Sequence, residues 1–250
     1  MTLPAAFLDR PIAHRALHDV TAGRPENSRA AIEAAIAGGY GIEIDLQLSA
    51  DGQAMVFHDY GLERLTAADG PVRQRRAAEL AAIPLTGGEG TIPGFAEVLE
   101  LVSGRVPLLI EIKDQDGAMG PAVGPLEQAA AAALADYTGP AAVMSFNPHS
   151  VAAFAARGTG LPVGLTTSGF DEADWKLLPA DTCRTLRTIP DVDRVGASFI
   201  SHDHRDLANP RVAELKSQGL SILCWTIRSP EEETRARKVA DNVTFEGYAA

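Results

Sequence analysis

Short apolar runs alternate with amphipathic or alanine-rich stretches from one end of the chain to the other, with no internal repeat and no linker between them. The apolar runs predict strands over residues 12–14, 42–48, 54–58, 107–113, 141–145, 163–166, 197–201, 221–226 and 243–246. Helical patterns lie between most of them. Residues 28–37 open on Ser28, a good N-cap, residues 96–102 form a short apolar-faced stretch, and residues 127–137 are almost pure alanine, the best helix former. Residues 148–157, 210–217 and 230–239 each begin with a proline suited to a first helical turn. Alternating strands and helices predict a parallel α/β sheet, open or closed into a barrel.

Nine strand candidates are one too many for an eight-stranded barrel. A parallel crossover needs about a dozen residues, whereas only five separate Leu48 from Ala54 and Asp51-Gly52 stands among them. That dipeptide is a strong two-residue hairpin signal. Residues 54–58 are therefore expected to fold back antiparallel on 42–48, with Ala50 facing Gln53 and Asp45 facing His58. The remaining eight strands predict a single (β/α)8 TIM barrel with a hairpin excursion after strand 2. Residues 60–106 form an insertion at that point, which either shapes access to the site or covers the side of the barrel.

Composition narrows the class. The 250 residues are 46% hydrophobic and 22% charged, enough for one sizeable core, so residues 1–250 are expected to form one domain. A net charge of −11 speaks against nucleic acid and anionic membranes as partners. No apolar run approaches the roughly 18 residues of a membrane span, and the first residues lack the pattern of a secretory leader. Cys183 and Cys224 show no metal spacing and read as two buried free thiols, which suits a reducing cytoplasm. The expectation is a soluble, acidic, cytoplasmic globular protein.

Polar residues recur at the predicted strand ends, where barrels carry their catalytic groups. Glu43 and Asp45 are two apart and share a face, as do Glu111 and Lys113. Carboxylates aimed into a barrel cost several kcal/mol each if unpaired. Two arrangements remove that cost. Either Glu43, Asp45 and Glu111 bind a divalent cation, for which hard oxygen ligands favour Mg2+ or Ca2+, or they form a salt-bridge network with Arg15 and Lys113. His14 and His58 have the near-neutral pKa of acid–base groups; each alone reads as a structural residue, but the pair beside the carboxylates reads as catalytic. Arg15 and Lys113 supply positive charge for a phosphate. His18, His149, His202 and His204 fall outside this pattern, and His202-Asp203-His204 reads as a solvated loop.

These residues resemble the glycerophosphodiester phosphodiesterase family. The resemblance is carried by AHRA at 13–16, PENS at 25–28, EIDLQLSADGQAMVFHD at 43–59, LERLT at 62–66, IEIK at 110–113, SF at 145–146 and ILCWT at 222–226. It implies that His14 and His58 are the acid–base pair, that Glu43, Asp45 and Glu111 bind the divalent cation, and that Arg15 and Lys113 hold the phosphate. It further implies that Glu26 and Asn27 line the site, although they also read as a loop leading to Ser28. Trp225 would border the alcohol portion of the substrate, or serve only as a packing tryptophan. The implied reaction is hydrolysis of a glycerophosphodiester to sn-glycerol 3-phosphate and an alcohol, with His14 assigned as base and His58 as acid. Two departures stand out: Ala16 replaces the glycine expected after His-Arg, and FEGY at 245–248 replaces a Thr-Asp pattern, so that Glu246 either fills that role or ends the last strand. Alternatives on the same barrel are a phospholipase D-like enzyme acting on lysophospholipid or sphingomyelin and a non-catalytic metal- or phosphate-binding module. The family's phospholipase D-like relatives generally lack a sizeable insertion after the second histidine, which favours small diesters.

Overall fold

The computed structural model describes residues 2–250. Its first half runs α1 (Ala6–Asp9), β1 (Ile12–Ala13), α2 (Arg29–Gly38), β2 (Gly41–Leu48), β3 (Ala54–Val56), α3 (Ala77–Leu80), α4 (Phe95–Val102), β4 (Leu108–Ile112) and α5 (Pro125–Leu134). The second half continues with β5 (Ala141–Ser145), α6 (Pro148–Ala155), β6 (Val163–Thr167), α7 (Ala180–Arg187), α8 (Val192–Val195), β7 (Phe199–Asp203), α9 (Pro210–Ser217), β8 (Ser221–Ile227), α10 (Pro230–Ala236) and β9 (Asn242–Phe245). Strand β1 pairs with both β2 and β9, which closes eight parallel strands into a ring. Strand β3 lies outside it, antiparallel to β2. The chain is a single α/β TIM barrel, as the strand count predicted.

The hairpin was expected with a two-residue turn, and its register differs by one. Leu46 faces Val56 and Leu48 faces Ala54, so Asp45 faces Phe57, whose N–H donates to the Asp45 carbonyl at 2.9 Å. The loop is three residues long. The Gly52 N–H donates to the Ser49 carbonyl (3.1 Å), Gly52 adopts φ 78°, and the Ser49 N–H donates to the Gln53 carbonyl (2.9 Å). A turn followed by a left-handed residue is the usual three-residue hairpin. His58 consequently lies just beyond the paired strand.

Alternation along the strands divides two environments. On β2, Ile42, Ile44 and Leu46 join the outer core under the helices, while Glu43 and Asp45 between them line the pocket inside the ring. At the opposite end of the ring the interior is apolar: Ile12, Leu109, Ala142, Phe199 and Leu223 pack with Leu3 and with Phe7 of α1. Leu109 precedes Glu111 by one pleat, so a single inward row passes from plug to site.

Helix ends follow local chemistry. The Ser28 hydroxyl accepts from the Ala31 N–H (3.2 Å), the capping geometry expected at that position. Helix α5 begins earlier than the alanine run suggests, because Pro125 occupies its first turn and the Glu127 carboxylate accepts from the Gly124 N–H at 2.6 Å. Between β3 and α4, Leu62, Val72, Leu80, Leu85 and Ile92 gather with Met55 and Phe57 into a small core of their own. Cys183 and Cys224 are buried and unpaired, and burial pushes the Cys224 thiol up to about 12. Among the described residues, no helix is long and apolar enough to cross a membrane.

Candidate active site

Inside the ring a pocket of about 160 Å³ is lined by residues from nearly every strand end, among them His14, Arg15, Glu43, Asp45, His58, Glu111, Lys113 and Trp225. All eight residues singled out from the sequence meet there. A larger depression of about 810 Å³ lies on the flank between the hairpin, α3, α4 and α5, and is walled mainly by alanines and backbone. It contains no histidine and shares no lining residue with the polar pocket.

Glu43, Asp45 and Glu111 are buried, and one oxygen of each lies within 4.8 Å of the others. Two cations answer them. Lys113 Nζ lies 2.7 Å from Glu111 Oε1 and 3.5 Å from Asp45 Oδ1, and Arg15 Nε lies 3.7 Å from Asp45 Oδ2. Burial works against ionised Asp45, yet His58, Lys113 and Arg15 outweigh it and hold the carboxyl well below the usual range. Burial likewise opposes charged Lys113, but Glu111 and Asp45 raise it above an ordinary lysine. Glu43 is the unanswered member. Burial, Asp45 and Glu111 push its carboxyl well above the ordinary value, although its Oε2 accepts the Arg15 N–H at 2.8 Å. Three buried carboxylates against two cations, one of them shared with Glu26, fit a divalent cation.

Local backbone places these groups. After β1 the chain turns through left-handed conformations at Arg15 (φ 51°) and Ala16 (φ 63°), with the Ala16 N–H donating to the Glu43 carbonyl at 3.0 Å. Ala16 thus adopts, without being glycine, a conformation glycine reaches at lower cost. Asn27, also left-handed (φ 58°), donates through Nδ2 to Asp45 Oδ2 at 3.0 Å and accepts the Asp45 N–H at 3.4 Å.

Each imidazole is anchored by a carboxylate. His14 Nδ1 donates to Glu246 Oε2 and His58 Nδ1 donates to Asp59 Oδ1, both at 2.6 Å. Lys113 Nζ reaches His58 Nε2 at 3.2 Å. Burial lowers His14 below the ordinary imidazole value, the Glu246 hydrogen bond opposes this, and Arg15 adds to it. Burial opposes the charge on Glu246, which nevertheless falls far below the usual carboxylate range through His14, His18 and Arg228. Asp59 continues into a network: Arg64 donates to Asp59 (2.6 and 2.7 Å) and to Glu26 (2.8 and 2.8 Å), and Arg15 NH1 donates to Glu26 at 3.0 Å. Asp59 and Arg64 were not expected at the site, though both stand inside sequence segments that carried the resemblance. Glu26, Asn27 and Glu246 stand behind its lining, bonded to Arg15, Asp45 and His14 respectively.

His202 differs from expectation. It lies on β7, fully buried, with Nδ1 at 2.8 Å from Thr167 Oγ1 and Nε2 at 3.2 Å from Asp206 Oδ2. The strand extends further than the apolar run suggested, and neighbouring polar groups satisfy the ring. Trp225 donates to the Ser201 carbonyl at 2.9 Å and meets Phe146 edge-on at 5.5 Å between ring centroids. Trp175 packs against Phe146 at 5.0 Å and extends this aromatic wall. Arg15 Nε and the hydroxyls of Thr166, Ser201 and Thr244 are buried on the pocket wall without hydrogen-bond partners. Such groups are seldom left so in a finished interior, and here they converge on one pocket.

The polar pocket at the carboxyl ends of the strands is where TIM-barrel enzymes carry their active sites. Residues 14–242 match the glycerophosphoryl diester phosphodiesterase family; the chain belongs to that family and is a phosphoric diester hydrolase. YhdW of Bacillus subtilis (strain 168) is 26% identical over 242 residues, 93% of this chain and 90% of its own. A glycerophosphodiester phosphodiesterase of Bacillus altitudinis is 40% identical over 96 residues, 36% of this chain and 39% of that one. The structure of an Oleispira antarctica phosphodiesterase in complex with the product sn-glycerol-3-phosphate shares the fold, with a TM-score of 0.75 and 24% identity over 96% of this chain and 94% of that one.

Proposed function

We propose that the chain hydrolyses glycerophosphodiesters to sn-glycerol 3-phosphate and an alcohol, with His14 and His58 as the acid–base pair. The observation that carries this reading is the matched anchoring of the two imidazoles. Each gives Nδ1 to a carboxylate at 2.6 Å, which leaves Nε2 of His14 for the pocket and sets Nε2 of His58 beside Lys113 Nζ on the pocket wall, at 3.2 Å. The product complex of the Oleispira antarctica relative supports the substrate class.

His14 takes the proton of the glycerol hydroxyl adjacent to the phosphoester. The oxygen attacks phosphorus, the bond to the alcohol breaks, and His58 protonates the departing oxygen. Water then opens the cyclic phosphate with the roles reversed: His58 accepts the proton from water and His14 returns its own to the glycerol oxygen. Arg15 and Lys113 hold the phosphate, the first able to fork onto two oxygens. Glu43, Asp45 and Glu111 would hold the divalent cation, Mg2+ or Ca2+, which supplies positive charge beside the phosphoryl oxygens and the glycerol hydroxyls. Trp225 borders the bound substrate.

The leaving alcohol fits a second cleft of about 460 Å³, which shares His58, Lys113 and Phe146 with the pocket and adds Tyr60, Met119 and Trp175. It opens on the His58 side, in keeping with His58 as the acid. In this reading residues 1–250 are one domain, and the insertion over 60–106 walls the His58 side through Tyr60, while Arg64 holds Asp59, the anchor of His58.

Release of glycerol 3-phosphate from a panel of diesters, with Mg2+, Ca2+ and a chelator compared, tests the proposal. Activity on small diesters is expected, lost with chelator and reduced by a factor on the order of 10²–10⁴ in His14→Asn or His58→Asn. Turnover confined to lysophospholipid would move the chain to the phospholipase D-like reading. Full activity in a Glu43→Ala, Asp45→Ala double variant would sink the metal assignment.

A further inference from the structure

One cluster at the pocket's rim joins the His14–Glu246 pair to a third residue, His18, that the reaction does not use. Strands β1 and β9 are neighbours at the seam of the barrel, with Ala13 beside Phe245. Their next residues, His14 and Glu246, are thereby brought together, and the turn after β1 returns His18 to the same point. Glu246 Oε2 lies 2.6 Å from His14 Nδ1 and 3.4 Å from His18 Nε2. One ligand atom from each of the three falls within 4.8 Å of the others. Arg228 holds the other carboxylate oxygen, with Nε at 2.8 Å and NH2 at 2.7 Å from Oε1. Oε2 is thus turned toward both rings by a partner behind it, as outer-shell groups orient metal ligands. The three side chains are 14%, 22% and 18% exposed, so an ion can reach them.

We propose that His14, His18 and Glu246 form a second metal site, suited to a transition ion of the Zn2+ type. Two imidazoles and one carboxylate with a position left open match the donor set of three-ligand zinc sites, and nitrogen donors discriminate against Mg2+ and Ca2+. The site shares no ligand with the carboxylate cluster of Glu43, Asp45 and Glu111. At metal–ligand distances of about 2.0–2.1 Å, tetrahedral ligand atoms stand roughly 3.3 Å apart. The His18–Glu246 spacing already fits, and the His14–Glu246 pair has to open by about 0.7 Å as the bridging proton leaves.

The consequence for the reaction rests on the role proposed above for His14. An ion on Nδ1 displaces the proton shared with Glu246, and a neutral ring then carries its proton on Nε2. That nitrogen donates but no longer has a lone pair for the glycerol hydroxyl. The site therefore switches the enzyme off when occupied.

Zn2+ affinity measured by competition with a chromogenic chelator, in excess Mg2+, tests this in wild type, His18→Ala and His18→Cys. One ion per chain is expected in wild type, with binding at least about ten-fold weaker in His18→Ala and largely kept in His18→Cys, whose thiolate is also a zinc ligand. Diester hydrolysis, taken relative to each protein's own activity in Mg2+ alone, should be inhibited by Zn2+ in wild type and need at least about ten-fold more Zn2+ in His18→Ala. Equal Zn2+ affinity in wild type and His18→Ala, or the same inhibition curve, would overturn the proposal. A chain that binds Zn2+ as expected but hydrolyses no diester leaves this site standing and refutes the hydrolysis instead.

Discussion

Glu246 does more for His14 than any other single residue around it. Burial and Arg15 depress the imidazole pKa, and the Glu246 hydrogen bond is the largest influence opposing them. In the proposed reaction His14 is the base, which acts in its unprotonated form, so its pKa sets the acid limb of the pH–rate profile. Glu246→Gln keeps an oxygen that can accept from Nδ1 but removes the charge. The acid limb should therefore move to lower pH, and kcat should fall by about ten-fold or more, since a weaker base transfers less effectively, while KM changes little. A pH series on wild type and variant measures both; an unmoved acid limb would show that Glu246 does not tune the base. At this scale the residues legible in sequence were those whose neighbours define them. Glu43, Asp45, Glu111 and Lys113 stand on strands whose alternation fixes their face. Glu246 was ambiguous because its partner is 232 positions away, and Arg64 was missed because the network it completes joins Glu26 to Asp59 across a fold not visible in local pattern.

The hairpin shows how one local choice propagates through an element. Asp51-Gly52 correctly marked a turn, but two- and three-residue loops share that signature, and side-chain alternation could not separate them. The observed register puts Ala54 and Val56 in the outer core and Met55 and Phe57 in the core of the insertion. Apolar residues occupy both faces there, so a one-residue slip leaves no exposed apolar side chain to betray it. What decides is Gly52 at φ 78°, with open space where a Cβ would stand. Gly52→Ala should cost about 1–2 kcal/mol through backbone strain alone, read as a lower denaturant midpoint at unchanged slope, while Asp51→Ala keeps the left-handed glycine and should retain the register. Helices were legible where caps are strong, as at Ser28 and Pro210. Helix α7 was not, because it buries only Cys183 and Leu186 on an otherwise polar surface.

Over the whole molecule, a net charge of −11 surrounds a pocket built to take an anion. The difference is local, and Glu43 is its critical residue. Its carboxyl titrates well above the ordinary value in the folded chain, so between those two values the folded state keeps a proton that the unfolded state has lost. Stability contributed by this group falls as pH rises through that window. Asp45, Asp59 and Glu246 act oppositely: their folded values are depressed, and their contribution is lost as pH falls below the ordinary carboxylate range. The divalent cation proposed for this cluster would compete with the proton on Glu43 and relieve the repulsion among the three acids. At a concentration about 100 times its Kd it should stabilise the fold by about 2.7 kcal/mol, roughly 5–10 °C in Tm for a chain of this size. The shift should shrink as pH is lowered and Glu43 takes up its proton. Glu43→Gln separates the two contributions, because its side-chain oxygen still accepts the Arg15 N–H while the charge is gone. Without cation at neutral pH this variant should melt no lower than wild type, and Mg2+ or Ca2+ should leave its Tm nearly unmoved. A variant that melts well below wild type without cation, or still gains the full shift, would mean that Arg15 and Lys113 already balance the cluster and that the cation is held elsewhere.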